Sequence, residues 1–360
     1  MHDAGRAALW QQLHASLAAR IRSGELARGS KLPSIQELCA SQGVSHMTVR
    51  AALARLIADG LVTSRPGSGY YSAGVTTVPS PDLRQVALVL PGRDAFFIDI
   101  IHGASTRLRD AGYRLVVSVA GHDSAVLAGR MCELHDVVSG FIIAPGRGGH
   151  DYQAWIPLLE RRTPFVCIDH WIPGLAAPLV TSDNMEGGRL ATRHLLEHGH
   201  RRIWVLAESG FSSMEERIAG HQAACAAAGL EADPALVLTS PLLNVEAGRE
   251  LALRLTPQLA PGDAIFALNE PLAKGAYQAV RARGWRPGRE VAVIGFDDTI
   301  AAHFEPALST IAQNLVGIGA AAADALLARI ASPTAAPPPA IRLAPGLVVR
   351  DSSTLSREVA

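Results

Sequence analysis

The sequence predicts an α+β winged helix followed by a larger α/β body of two doubly wound parallel-sheet lobes. Three observations predict it. Helix, turn and hairpin signals crowd between Leu32 and Tyr71; apolar runs alternate with helical patterns from Val86 onward; and 360 residues exceed one ordinary core. The expected division is 1–73 for the head, 74–84 for a linker, 85–352 for the body and 353–360 for a tail.

The elements of the head follow in order. Ser34 and Glu37 stand in an S-x-x-E capping box that opens one helix. A short link through Gln42 and Gly43 leads to Ser45, which can cap a second helix whose Val49, Leu53, Leu56 and Ile57 recur at helical spacing. Gly60 is placed to stop that helix. Two strand-like runs joined by Pro66-Gly67-Ser68-Gly69 then read as a hairpin. Residues 74–84 lack periodicity and hold Pro79 and Pro81, as a linker does.

In the body the strand-like runs are Val86–Leu90, Leu115–Val119, Gly140–Ala144, Phe165–Ile168, Ile203–Leu206, Ala264–Leu268 and Val291–Gly295. Helical stretches such as Ala191–Glu197, Arg217–Ala228 and Leu272–Arg283 lie between them. Such alternation means parallel sheets covered by helices, and the stretch is too long for one sheet, so two lobes with a cleft between them are expected. Ala335 to Pro339 reads as a surface spacer ahead of the final strands.

Net charge is zero overall, but its distribution is uneven. The first 74 residues carry eight Lys and Arg against four Asp and Glu, and the remainder carries the opposite imbalance. A basic head on an acidic body suits phosphate contact at one end only. Cys39, Cys132, Cys167 and Cys225 are scattered without a C-x-x-C pair, as expected of reduced thiols. The segment Met1 to Arg6 lacks the apolar core of a signal peptide, and no apolar run reaches membrane-spanning length. A cytoplasmic protein without a membrane partner is expected.

Residues 7–73 resemble the winged-helix domain of the GntR family of bacterial transcription regulators. The likeness rests on Leu32-Pro33-Ser34, on Val44-Ser45-x-x-Thr48-Val49-Arg50 and on the Gly67-x-Gly69 wing. It implies that the second helix enters the major groove of double-stranded DNA and that the wing approaches the minor groove. The expected DNA-binding residues are Ser34, Gln36, Ser45, His46, Met47, Thr48, Arg50, Arg65 and Gly67. Arg50 can fork onto guanine or clamp a phosphate; Ser45 and Thr48 suit hydroxyl contacts. Gln36 and His46 stand where similar heads usually carry arginine, so the operator is expected to depart from the commoner pattern.

The body resembles the effector domain of the LacI/GalR family, which shares the fold of periplasmic sugar-binding proteins. The matching blocks are Asp94 to Phe97, Ser182 to Gly188, Gly199 to Ile203, Ser213 with Arg217 and Gly220, Asn269 to Ala276, Ile294 to Asp298, Pro306 to Ile311 and Leu347 to Ser352. The resemblance implies a first lobe of residues 85–199 plus about 312–332, and a second of 200–310 plus about 335–352. It also implies a ligand site of Asp94, Phe97, Trp171, Asp183, Arg217, Asn269 and Asp297. A sugar needs acceptors and a planar donor for its hydroxyls and an aromatic face for its C–H surface, which these residue types supply. Glu270 replaces the usual Asp after Asn269, and His170 stands where Arg often follows Asp169.

The expected function is a one-component transcription regulator, a repressor, whose grip on a palindromic operator is controlled by a carbohydrate in the cleft. A homodimer sets the spacing of two heads, and with no helical hinge expected in 74–84, coupling passes through dimer geometry. No cofactor, metal or enzymatic activity is expected. Two other readings stay open: a ligand-binding protein or enzyme on this scaffold with a vestigial head, and a regulator using a purine-type corepressor. Gly146 to Gly149 lacks the third glycine of a dinucleotide loop, and His194, His198 and His200 are explained as well by a helix exit as by zinc. No G-x-S-x-G elbow or H-E-x-x-H occurs.

Overall fold

A computed structural model of the chain describes residues 4–22, 25–27, 29–59, 61–65, 68–73, 84–146, 155–156, 163–171, 174, 177–242, 244–332 and 339–354. The expected linker (Arg84 excepted), the helix stop at Gly60, the wing tip Pro66-Gly67, the loop 147–149 and most of the proline spacer lie outside the described residues. The chain divides into two compact units, Met1–Leu83 and Arg84–Ala360.

The first unit holds α1 (Ala4–Arg22), α2 (Ile35–Gln42), α3 (His46–Ala58), β1 (Val62–Arg65) and β2 (Gly69–Ser72). Both sides of the capping box form: Ser34 Oγ accepts from the Glu37 N–H, and the Glu37 carboxylate accepts from the Ser34 N–H. Gly43 ends α2 in the left-handed region at φ 64°, which lets the chain turn at once into α3. Ser45 Oγ accepts from the Thr48 N–H to cap α3. Leu13, Leu17 and Ile21 of α1 meet Leu38, Val49, Leu53 and Leu56 in a closed core, each such side chain stabilising by about 1.5–3 kcal/mol. Ile57, which recurs at the same spacing, is 40% exposed in the last turn of α3. The hairpin gains an unforeseen edge: Lys31 bridges Tyr71, and the Leu32 N–H donates to Tyr70.

The second unit carries β3 (Gln85–Leu90), α4 (Phe96–Asp110), β4 (Arg114–Val119), α5 (Ser124–Leu134), β5 (Gly140–Ile143), β6 (Phe165–Ile168), β7 (Leu179–Ser182) and α6 (Asn184–Glu197). It continues with β8 (Ile203–Glu208), α7 (Ser212–Ala227), β9 (Val237–Ser240), α8 (Val245–Leu255), β10 (Ala264–Ala267), α9 (Glu270–Ala282), β11 (Ala292–Asp297) and β12 (Ser309–Ala312). It closes with α10 (Leu315–Ala331), β13 (Ile341–Leu343) and β14 (Gly346–Val348). Two six-stranded sheets result, ordered β13-β7-β6-β5-β3-β4 and β14-β12-β11-β10-β8-β9; every pairing is parallel except β12 with β14. Strands such as β3 and β8 are buried on both faces, which is why they read as unbroken apolar runs.

The lobes are joined by three chain crossings, between β7 and α6, between β12 and α10, and between β13 and β14. The expected lobe boundary at 199 is therefore corrected. Helix α6 belongs to the second lobe, where Ala191 and Leu195 pack with Ile203, Phe266 and Ile294. Strand β13 belongs to the first lobe, beside β7, and not to the second. Ser353, expected in the tail, is buried; it bonds to Ser309 Oγ at 2.7 Å and to His194 Nε2 at 2.7 Å. No described helix is long and apolar enough to cross a membrane.

The helices of the second lobe can approach one another because of paired glycines. A Cβ on Gly188 of α6 would lie 2.1 Å from the carbonyl oxygen of Arg217 in α7, and one on Gly220 would lie 2.0 Å from that of Met185. Neighbouring Gly187 leaves room for the Phe296 ring.

Candidate functional site

In the head, the start of α3 presents its side chains to solvent. Ser45, His46, Met47 and Arg50 are exposed, Met47 at 73%. Such exposure of a large apolar side chain beside a cation suits a thymine methyl and a phosphate or guanine. Arg50 makes no ion pair among the described residues, whereas Arg55 is engaged by Asp59 at 3.1 Å. Gln36 and Ser34 are exposed at the start of α2. Arg65 is exposed on β1 with its guanidinium 4.4 Å from the centre of the Tyr71 ring. Thr48 is a correction: it is 6% exposed, and its hydroxyl is bonded to Ser45 Oγ at 2.8 Å, so it belongs to the cap and faces the core. Gly67 lies outside the described residues.

In the body, the strand order reverses beside β3 in one sheet and beside β8 in the other. The carboxyl ends of strands at such a reversal form a crevice. Loops leaving β3, β4, β5 and β6 of the first lobe face those leaving β8, β10 and β11 of the second, around a cavity of about 240 Å³. Asp94, Phe97, Arg217, Asn269 and Asp297 all line it.

Arg217 is the best-held of these. It is 2% exposed; its Nε donates to Asn184 Oδ1 at 2.8 Å and its Nη1 to the Leu268 carbonyl at 2.5 Å. Nη1 lies 3.9 Å from Asp297 Oδ1, and the guanidinium stacks 3.7 Å above the Phe296 ring centre. Asn184 is fixed in turn by donating to Thr181 Oγ1 and to the Ser182 carbonyl. Sequence reasoning chose its neighbour Asp183 instead. Asp183 does not line the cavity; its carboxylate accepts from the Glu186 N–H and caps α6. Trp171 does not line it either and is 40% exposed.

Asn269 Oδ1 accepts from the Leu272 N–H to cap α9, which leaves Nδ2 a buried donor with no partner among the described residues. His170 likewise has a buried Nε2 without one, while its Nδ1 sits 3.1 Å from Asp169 Oδ2. Buried polar atoms are ordinarily satisfied, so a partner from within the cavity is the physical expectation. Asp169, His170, Glu208, Phe211, Ser213 and Glu270 also line it but were not selected from the sequence. The positions of Asp169 and Asp297 were marked by their backbones: φ is 70° and 115°, in the region L-residues rarely adopt, and such strain gathers at ligand sites.

Burial pushes the Asp297 carboxyl up to about 7, with Arg217 opposing and Glu270 adding to the rise. An acid whose folded pKa lies above its unfolded value of 3.8 binds more protons folded than unfolded. Its contribution to stability is therefore greatest near pH 4 and declines as pH rises to about 7. His194 and His221, pushed down to about 4 mainly by burial, act with the opposite sign between pH 4 and 6.5. Asp297→Asn isolates the first effect. In urea unfolding of the ligand-free protein, the variant is expected to gain on the wild type between pH 4 and 7, by up to a few kcal/mol, and no further above. A pH-independent difference would refute the assignment.

Residues 9–71 match the bacterial regulatory proteins of the gntR family, and residues 192–353 match the periplasmic binding protein-like domain. The arabinose metabolism transcriptional repressor of Geobacillus stearothermophilus is 27% identical over 358 residues, 95% of this chain and 96% of that protein. The HTH-type transcriptional regulator CelR of Thermobifida fusca is 31% identical over 271 residues, 72% of this chain and 76% of that protein. The chain belongs to the bacterial transcription regulators that join a GntR-type head to a LacI-like effector domain. A LacI-family regulator from Enterococcus faecium, solved with bound ribose, superposes with a TM-score of 0.65 at 25% identity, over 75% of this chain and 98% of that one. This GntR/LacI-type regulator is accordingly a DNA-binding protein governed by a ligand, and its relatives named here are regulators, not enzymes.

Proposed function

We propose that the regulator is a repressor that holds a palindromic operator as a cytoplasmic homodimer and releases it when a sugar enters the cleft. The observation that carries the reading is the cleft itself: Arg217, Asn269 and Asp297 from one lobe and Asp94, Phe97 and His170 from the other surround one cavity, where Asn269 Nδ2 and His170 Nε2 have no partner among the described residues. A ligand that satisfies both lobes at once favours one lobe arrangement over another, and that difference in affinity is what drives release. Relatives that regulate arabinose metabolism or carry ribose support a carbohydrate.

In this reading residues 1–73 bind DNA and residues 85–352 bind ligand and pair with a second copy. Gln36, His46, Met47 and Arg50 approach the major groove, Ser34 and Ser45 hold the helices that carry them, and Arg65 and Gly67 approach the minor groove. Arg50→Ala is expected to weaken operator binding about tenfold or more and to lower the slope of log K against log salt by about one. Fluorescence anisotropy of a labelled operator at several salt concentrations measures both. Unchanged affinity would remove α3 from the interface. Adding arabinose, ribose or cellobiose to the bound complex tests the sign: repression requires release, and tightening would make the ligand a corepressor.

A further inference from the structure

The cleft's charge and proton inventory narrows its ligand further, on the reading that it holds a sugar. Among the described residues five carboxyl groups line it: Asp94, Asp169, Glu208, Glu270 and Asp297. Among the described residues one permanent cation faces them, Arg217, and it is already committed to Asn184, Leu268 and the nearby Asp297. The remaining basic groups in the lining are His122 and His170. Glu208 and Glu270 are nearly fully buried, so little water screens them.

His170 adds a directional requirement. Its Nδ1 faces a carboxylate oxygen of Asp169, which can only accept, so the ring proton sits on Nδ1. In the neutral ring, Nε2 is then an acceptor and needs a donor from the ligand. Across the cavity Asn269 Nδ2 is fixed as a donor, because its Oδ1 is taken by the Leu272 N–H. A hydroxyl group donates and accepts and can meet both; a phosphate dianion or carboxylate can meet only the second.

We propose that His170, oriented by Asp169, is a specificity-determining residue that makes this cleft select uncharged, hydroxyl-rich sugars and reject their phosphorylated and carboxylated counterparts. Burial favours the neutral forms of Asp297 and Glu270, but the other carboxylates around the ligand repel an added anion, and His170 lacks the second fork of donors that an arginine at this position would offer it.

The test is calorimetric titration of the full chain with matched sets: ribose and ribose 5-phosphate, arabinose, and glucose with glucose 6-phosphate and glucuronate. The expected result is binding by at least one neutral sugar, with its anionic counterpart at least a hundredfold weaker. In His170→Arg the gap is expected to narrow at least tenfold. Glu208→Gln removes one charge without adding bulk and should narrow it in the same direction, which keeps the test open if the arginine variant does not fold. A phosphorylated or carboxylated sugar that binds as tightly as its parent overturns this inference and leaves the sugar-responsive repressor standing. Silence across the whole panel overturns both.

Discussion

Gly188→Ala is expected to destabilise the effector domain by about 3 kcal/mol. The added methyl would lie 2.1 Å from the Arg217 carbonyl oxygen and 2.9 Å from its carbonyl carbon. Neither is a flexible side-chain end that can swing away, so α6 and α7 must move apart. Because the obstructed backbone is that of Arg217, the cost appears in function as well as in stability. Urea unfolding followed by tryptophan fluorescence, with Trp204 fully buried in the second lobe as a reporter, measures the first; the ligand concentration needed to release operator measures the second. A midpoint equal to that of the wild type would show that the helices do not meet at this register.

Arg217→Met is expected to have the largest effect on ligand response, weakening it at least about a hundredfold. It removes the donor fork and leaves Asn184 Oδ1 and the Leu268 carbonyl without their partner, and Asp297 without its neighbouring cation. Breaking a buried ionic arrangement from one side typically costs 3–5 kcal/mol, so the fold suffers too. Arg217→Lys separates the two effects. It keeps a cation near Asp297 but cannot reproduce the planar fork, so stability should recover more than ligand response does. Operator release by the lysine variant at the wild-type ligand concentration would count against Arg217 as the ligand's donor. Since Gly188 and Arg217 are in contact, their double variant should fall short of the sum of the single costs.

The reach and failure of the sequence can be traced to particular residues. Ser34, Glu37 and Ser45 announced their helices because a capping side chain acts within three residues of its own position. The apolar runs that became β3, β5, β6, β8, β10 and β11 were legible because burial on both faces leaves no polar position to interrupt them. The strand β9 was not, being half-exposed at a sheet edge, and neither was β7, where the hydroxyls Thr181 and Ser182 cut the apolar run to two residues. Arg217, Asn269 and Asp297, which line the cavity, stand in blocks that resemble a family. Thr48, Asp183 and Trp171 were misplaced for a common reason: a hydroxyl, carboxylate or indole near a site can as readily cap a helix or stand in solvent, and only the direction of its side chain decides. Asn184, which braces Arg217, and His170, whose Nε2 awaits a partner, act through contacts 33 residues away or across the cleft, which no local pattern encodes.

The three crossings between the lobes impose an order on the birth of the molecule. Neither sheet is complete until residues beyond 340 have been made: β13 closes one, β14 the other, and Ser352 and Ser353 fill the gap beside Ser309. The described part of the head ends at Ala73, whose N–H donates to the Leu61 carbonyl. On the ribosome the part that faces DNA can therefore be finished while its sensor is still an open chain. Any fragment cut short of Ile341 would carry a reading head beside a sensor whose two sheets each lack an edge strand.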